Sequence, residues 1–116
     1  GNGYFEIDGV AAGTYTIKIT KANYLTREIA SVSVTADKQL STTSAPILMW
    51  AGDMEIGGVQ DGAINLEDIL EICKSFNTSS TDAKYQVGSD LNRDGAVSLE
   101  DVMIVAKHFN KISADY

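Results

Sequence analysis

The fold is decided by residues 90–101, which read DLNRDGAVSLED. Side chains that carry oxygen stand at positions one, three and five, a glycine at six, a hydrophobic residue at eight and a carboxylate at twelve. Calcium loops have this pattern, because the odd positions of a tightly turning loop point inward and the glycine permits the bend. Position seven offers its backbone carbonyl, and the serine at nine can hold a bridging water while it caps the next helix. The predicted ligands of this second loop are Asp90, Asn92, Asp94, Ala96, Ser98 and Asp101. The plainer alternative is an acidic turn before a helix.

The second loop belongs to an internal repeat. Residues 61–77 (DGAINLEDILEICKSFN) align without gaps to residues 94–110 (DGAVSLEDVMIVAKHFN), and nine of the seventeen positions are identical, which chance rarely gives. Each copy predicts a loop followed by a helix, with Asn65 and Ser98 as N-caps and two acidic residues in the first turn. One apolar stripe on each helix would pack on the other: Ile69, Ile72 and Phe76 in the first copy, and Val102, Val105 and Phe109 in the second.

The first loop is irregular. With Asp68 at position twelve, strict counting puts Gly57 at position one, where it offers no side-chain oxygen. A four-residue insertion would let Asp53 serve as position one instead. The alternative is a degenerate loop that binds no ion. On the insertion hypothesis the chain binds two calcium ions, and the ligands of the first loop are Asp53, Asp61, Ala63, Asn65 and Asp68.

Charge and composition exclude several function classes. The net charge is −7, and all of it lies in residues 53–116, which carry twelve acids and five bases. An acidic domain without a basic patch is a poor partner for nucleic acid or for an anionic membrane. One cysteine and one histidine give neither a disulfide nor a zinc site of the usual kind. Since no nucleophile–base set is visible either, the sequence predicts a protein that is not an enzyme.

The first half of the chain has the period-two alternation of β-strands. Strands are predicted at 4–7, 14–20, 29–34 and 47–50, as part of a β-sandwich whose earlier strands lie outside this sequence. Two small domains follow from the change of period: a partial all-β sandwich over 1–51, and an all-α domain over 52–116 with repeats at about 53–77 and 90–110.

Paired loop–helix repeats with Asp at position twelve and no entering helix resemble a dockerin, the module that plugs into cohesins in bacterial cellulosomes. The resemblance covers 52–112 and implies duplicated calcium loop–helix units of the F-hand kind. The helix-start pairs that contact cohesin in the family correspond to Leu66-Glu67 and Leu99-Glu100, where leucine resembles the type II class that binds cell-surface anchoring cohesins. Further contacts would follow along the helices, at Leu70 and Cys73 on the first and at Met103, Ala106 and Lys107 on the second.

The first half strengthens this resemblance. Residues 3–7 (GYFEI), 13–19 (GTYTIKI) and 45–50 (APILMW) are similar to the X module that precedes type II dockerins, a β-sandwich of immunoglobulin-like or prealbumin-like class. The resemblance implies an extracellular, calcium-dependent adaptor of a cellulosomal protein, which binds a cohesin of a cell-surface anchoring protein or scaffoldin and so assembles or anchors a cellulosome at the bacterial surface. Two alternatives stay open: an EF-hand-like calcium sensor or buffer, and a carbohydrate-binding module in which aromatic residues of the first half stack on sugar.

Overall fold

A computed structural model describes residues 4–116. Two long strands are followed by two helices, each of which comes directly after a loop. In chain order the elements are β1 (Gly13–Lys21), β2 (Tyr24–Val34), α1 (Leu66–Cys73), β3 (Thr78–Ser79), β4 (Ala96–Val97), α2 (Leu99–Lys107) and a 3₁₀ helix (Ser113–Asp115). No helix among these residues is long and apolar enough to cross a membrane.

The chain divides into two compact units. One comprises Gly1–Ile17 and Ile29–Ile47, and the other comprises Lys18–Glu28 and Leu48–Tyr116. Residues 1–3 of the predicted first domain lie outside the described residues. The predicted domain boundary after residue 51 stays a prediction.

Strands β1 and β2 form a two-stranded sheet. Their two-residue connection ends at Asn23, which has a positive φ of 63° that asparagine tolerates better than most residues. The strands predicted at 14–20 and 29–34 lie inside β1 and β2 and are confirmed. In β1, half-buried Ile17 and Ile19 alternate with exposed neighbours, as the period-two pattern indicates.

Two other strand predictions are wrong. Residues 4–7 are not a strand, and the side chains of Tyr4, Phe5 and Ile7 are exposed. Residues 47–50 are not a strand either. Just after that segment, Ala51 makes a single bridge to Tyr24 of β2, in which the Leu25 N–H donates to the Trp50 carbonyl at 2.8 Å. The described residues therefore hold a two-stranded sheet instead of four sandwich strands, and the immunoglobulin-like class stays a prediction.

Both helices begin where the sequence predicts. The Asn65 and Ser98 side chains accept from the backbone N–H two residues on, at 2.7 and 3.2 Å, and both helices start with a full capping box. The prediction that Phe76 and Phe109 belong to the packed stripes is wrong, because α1 ends at Cys73 and α2 ends at Lys107. Both rings lie beyond the helices and are 46% and 47% exposed.

The two loop–helix copies are tied together crosswise. The Asn77 N–H, after α1, donates to the Val97 carbonyl of the second loop at 2.8 Å. In the same way the Asn110 N–H, after α2, donates to the Ile64 carbonyl of the first loop at 2.7 Å. Strands β3 and β4 continue the first of these pairings, so the part predicted as all-α also contains short strands.

The core of the helical part is shared by both copies and by β2. Its buried members are Leu25, Met54, Ile64, Ile72, Val97 and Val105. Gly52 permits this packing, because a Cβ there would lie 3.1 Å from the Ile64 side chain and 3.3 Å from the Val105 backbone. Its φ of 133° is also one that residues with a side chain rarely adopt.

We expect Gly52→Ala to lower the free energy of unfolding by about 3 kcal/mol or more, because backbone strain and overpacking add. The matched control is Gly57→Ala, which also has a positive φ (62°) but has no atom within 4 Å of the added Cβ. Urea unfolding in saturating calcium measures both variants. Equal losses of stability would show that packing against Ile64 and Val105 is not what restricts position 52.

Candidate calcium-binding loops

The second loop is held in shape by its own predicted ligands. The Asp94 and Gly95 N–H groups donate to the two Asp90 carboxylate oxygens at 3.2 and 3.0 Å. The Asp94 N–H also reaches Asn92 Oδ1 at 3.1 Å, and the Ala96 N–H reaches Asp94 Oδ1 at 2.9 Å. Because a carboxylate offers about four lone-pair sites, these bonds orient the oxygens and leave others for a cation.

Asp101 joins this loop to helix α2. Its Oδ1 accepts from the Leu91 N–H at 2.7 Å, and its Oδ2 accepts from the Ser98 N–H at 2.8 Å. The side chain is fully buried. The Asp101 carboxylate, at position twelve of the loop, therefore joins the start of the loop to the start of helix α2.

Tyr85 is a contributor to this loop that the sequence analysis missed. Its hydroxyl donates to Asp90 Oδ2 at 2.6 Å. Burial acts to raise the pKa of Asp90, but Tyr85 and the N–H groups of Gly95, Arg93 and Asp94 together outweigh it, and the pKa lies below its usual value. These hydrogen bonds thus stabilise the ionised form of Asp90. No sequence pattern marks a tyrosine five residues ahead of a loop.

The first loop repeats the bonds of the second. Asp68 Oδ1 accepts from the Met54 N–H at 2.7 Å, as Asp101 does from Leu91. Asp68 Oδ2 accepts from the Asn65 N–H at 2.7 Å, which matches the bond from Ser98. Met54 thereby corresponds to Leu91, and the residue before it, Asp53, corresponds to Asp90.

The four-residue insertion of the first loop, residues 56–59, forms a small hairpin of its own. The Ile56 N–H donates to the Val59 carbonyl at 2.9 Å, and the Val59 N–H donates back at 3.2 Å. Gly57 and Gly58 make the turn between them with φ of 62° and 82°. Because the four residues close on themselves, Glu55 and Gln60 can flank the hairpin without breaking the loop around Asp53.

Asp53 differs from Asp90 in its electrostatics. It is 1% exposed, and neither carboxylate oxygen has a hydrogen-bond partner. Burial, followed by the charges of Asp68 and Asp61, raises its pKa to about 6. The nearby N–H groups of Gly62 and Asp61 oppose this shift only in part. A buried carboxylate with two unpartnered oxygens is costly by itself, and a cation would satisfy it.

A cavity of about 550 Å³ adjoins Asp53. It is lined by Lys18, Thr26, Glu28, Asp53, Gln60, Asp61, Gly62, Ser113, Ala114 and Tyr116. Asp61, the predicted fifth position, accepts from the Ala63 N–H at 2.9 Å and from the Asn65 amide at 3.1 Å. Carboxylates, an amide and backbone carbonyls are oxygen ligands of the kind that calcium takes. The donor set therefore fits the ion.

The carboxylates alone do not make the site. Within residues 4–116, no group of three or more His, Cys, Asp and Glu side chains forms a metal cluster. The predicted ligand sets are mixed, since each includes an Asn side chain or a Ser hydroxyl and a backbone carbonyl. Which of these atoms bind an ion stays a prediction.

The predicted partner residues form an exposed set on the two helices. Leu66 and Leu70 on α1 are 59% and 56% exposed, and Leu99 and Met103 on α2 are 61% and 62% exposed. The remaining predicted contacts are also exposed: Glu67, Cys73, Glu100, Ala106 and Lys107. Four large apolar side chains at equivalent places are thus open to solvent.

Comparison with known proteins gives one family. The dockerin type I domain family matches residues 59–110. Cellulosomal-scaffolding proteins B and A of Acetivibrio thermocellus are each 50% identical over 94 residues, or 79% of this chain. The chain spans only 12% and 5% of the lengths of these curated relatives.

Two crystal structures are similar over nearly the whole chain. They are a C-terminal and an N-terminal interface mutant of a type II cohesin–X–dockerin complex from Acetivibrio cellulolyticus. Each matches with a TM-score of 0.97 and 86% identity, over 99% of this chain and 74% of the matched chain.

We expect the calcium-free protein to gain stability as the pH falls from 7 towards 4.5. Between the unfolded pKa of Asp53 near 3.8 and its folded pKa of about 6, the folded state binds the extra proton. Each pKa unit of that difference corresponds to about 1.4 kcal/mol. The raised pKa of Asp68, caused first by burial, acts in the same direction.

The measurement is helical circular dichroism in chelator as a function of pH. The uncharged, isosteric variant Asp53→Asn should be more helical than the wild type at pH 7, and the difference should shrink as the pH approaches 4.5. A calcium-free wild type whose helicity is highest at pH 7 would contradict the destabilising charge on Asp53.

Proposed function

The chain belongs to the dockerin family, with an X module ahead of the dockerin, and we propose that it is a calcium-dependent adaptor that binds a type II cohesin. The observation that carries the proposal is the 86% identity, over 99% of this chain, to a chain of type II cohesin–X–dockerin complexes. The dockerin type I family also matches. We favour a type II partner because both helices start with an exposed leucine.

Binding of a cohesin would place this chain in a cellulosome. The scaffolding proteins that it resembles are cellulosomal, so the adaptor acts outside the cell and attaches its parent protein to a scaffoldin or to a cell-surface anchor. An adaptor of this kind performs no catalysis.

Dockerins are generally calcium-binding, and we assign two ions to this chain, one in each loop–helix unit of the F-hand kind. The matched hydrogen bonds of Asp68 and Asp101 support equivalent sites. The unpartnered, buried Asp53 carboxylate supports the first ion. The proposed ligands are Asp53, Asp61, Ala63, Asn65 and Asp68 in the first loop, and Asp90, Asn92, Asp94, Ala96, Ser98 and Asp101 in the second.

Calcium has a structural role in this proposal. In the first loop the charges of Asp68 and Asp61 act on the buried Asp53 carboxylate, and this repulsion opposes folding unless a cation is present. An ion that binds only the folded state stabilises it by about 4 kcal/mol at a thousandfold excess over its Kd. That is comparable with the whole stability of so small a core.

The geometry does not favour the alternatives. A sensor opens by swinging the helix that enters its calcium loop, and the described segments before the two loops, 35–52 and 80–89, contain no helix. A sugar-binding platform needs an open aromatic face. Trp50 is stacked on Tyr116 at 4.2 Å and on His108 at 5.8 Å between ring centroids, so its ring is already engaged.

Cohesin is held in one orientation, mainly by the second helix. Near-symmetric repeats could bind in two ways related by a half-turn, but the copies differ at the surface. Glu71 of α1 stands where α2 has Ile104, and only the first loop carries the inserted hairpin. An acid left unpaired in an apolar interface would disfavour the turned orientation.

We expect chelation at pH 7 to remove most of the helical circular dichroism and all cohesin binding. Isothermal titration should return two calcium ions per chain. Asp94→Ala should lower the calcium-loaded stability more than Asp61→Ala does, because the second loop has regular ligand spacing. A chelated sample with full helicity and unchanged cohesin binding would contradict the calcium requirement.

We expect Leu99→Ala/Met103→Ala to weaken cohesin binding by at least tenfold more than Leu66→Ala/Leu70→Ala, since one orientation buries the α2 pair. All four side chains are more than half exposed, so both variants should fold. Surface-immobilised type II cohesin measures the affinities, with a type I cohesin as the specificity control. Equal losses for the two variants would show that both orientations occur.

A further inference from the structure

The turn between β1 and β2 reaches both calcium loops through one side chain. Asn23 Oδ1 accepts from the Glu55 N–H at 3.0 Å, and Asn23 Nδ2 donates to the Gly88 carbonyl at 3.0 Å. Glu55 follows Asp53 by two residues, and Gly88 precedes Asp90 by two. The two ends of one amide therefore touch the entrances of both loops.

The neighbouring backbone strengthens the contact with the first loop. The Gly52 N–H donates to the Asn23 carbonyl at 2.9 Å. Gln60 Nε2 donates to the carbonyls of Tyr24 and Asp53, both at 2.8 Å. The start of the first loop is thus fastened to the turn on both sides of its inserted hairpin.

We propose that Asn23 is a positioning residue that couples the two calcium sites, so that an ion in either loop increases the affinity of the other. This inference rests on the proposed calcium sites. An ion at Asp90 orders the segment that holds Gly88, and the amide transmits that order to Glu55. By linkage, the first ion raises the affinity for the second by the same factor.

The position suits asparagine for two reasons. Its φ of 63° favours asparagine or glycine. Its amide also has one acceptor end and one donor end, and the contacts use one of each. Gly88 leaves the space, since a Cβ there would lie 3.0 Å from Asn23 Nδ2.

The experiment is a thermodynamic cycle on the full chain, read by calcium calorimetry. Asp94→Asn weakens the second site with little change of shape, so that the first site titrates alone. In the wild-type background we expect Asp94→Asn to weaken calcium binding at the first site by about tenfold. In the Asn23→Gly background, which keeps the backbone conformation but lacks the amide, the same change should weaken it by less than about twofold.

Asn77→Gly is the matched control. Asn77 has a φ of 60° and is exposed, and its side chain makes no hydrogen bond to residues 4–116. In the Asn77→Gly background, Asp94→Asn should still weaken calcium binding at the first site by about tenfold. A second readout is amide hydrogen exchange of Glu55 in saturating calcium, which should become at least about tenfold faster in Asn23→Gly and stay unchanged in Asn77→Gly.

The outcomes separate the two proposals. A wild type that binds no calcium would overturn both. If two ions bind and Asp94→Asn weakens the first site equally in the wild-type and Asn23→Gly backgrounds, only the role of Asn23 is overturned. If Asn23→Gly does not fold, Asn23→Asp is measured, which keeps the acceptor for Glu55 but loses the donor to Gly88, and its factor should also fall. Failure of both variants to fold in calcium would make Asn23 a residue of the fold alone and would overturn the coupling.

Discussion

The structure depends on one carboxylate in each repeat that accepts backbone N–H groups from two directions. Asp68 and Asp101 are 2% and 0% exposed, and each bonds the N–H of its own N-cap and an N–H at the start of its loop. The aspartate at position twelve thus closes the loop onto the helix without an entering helix, and the same atoms are offered to the ion.

The two loops have the same framework but a different electrostatic state. Asp90 accepts from Tyr85 and from two backbone N–H groups, and its pKa is lowered. Asp53 accepts none, and its pKa is raised to about 6. The first loop therefore has more unbalanced negative charge for a cation to neutralise, while the second is largely organised by its own hydrogen bonds.

The second loop could be read from the sequence because one continuous segment carries every predicted ligand and the capping box of α2. The sequence predicts the first loop only as a hypothesis, since the place of Asp53 depends on a hairpin that closes at Ile56 and Val59. The contributions of Tyr85 and Asn23 could not be predicted, because they rest on single hydrogen bonds without a periodic pattern. The strand predictions failed at 4–7 and 47–50 for a related reason. Alternation indicates which side chains share a face, but it does not provide a neighbouring strand.

The crosswise pairing of the copies explains why this arrangement suits a rigid adaptor. Each loop is bonded to the segment that follows the opposite helix, through Asn77 and Val97 in one direction and Asn110 and Ile64 in the other. Neither helix can swing without breaking a bond to the other copy, so calcium binding cannot open a groove as it does in a sensor. Its effect is to order each loop together with the helix start that follows it. The exposed leucines lie in the first turn of each helix, next to the proposed ions, and the order that calcium imposes is therefore passed directly to the surface that a cohesin would contact.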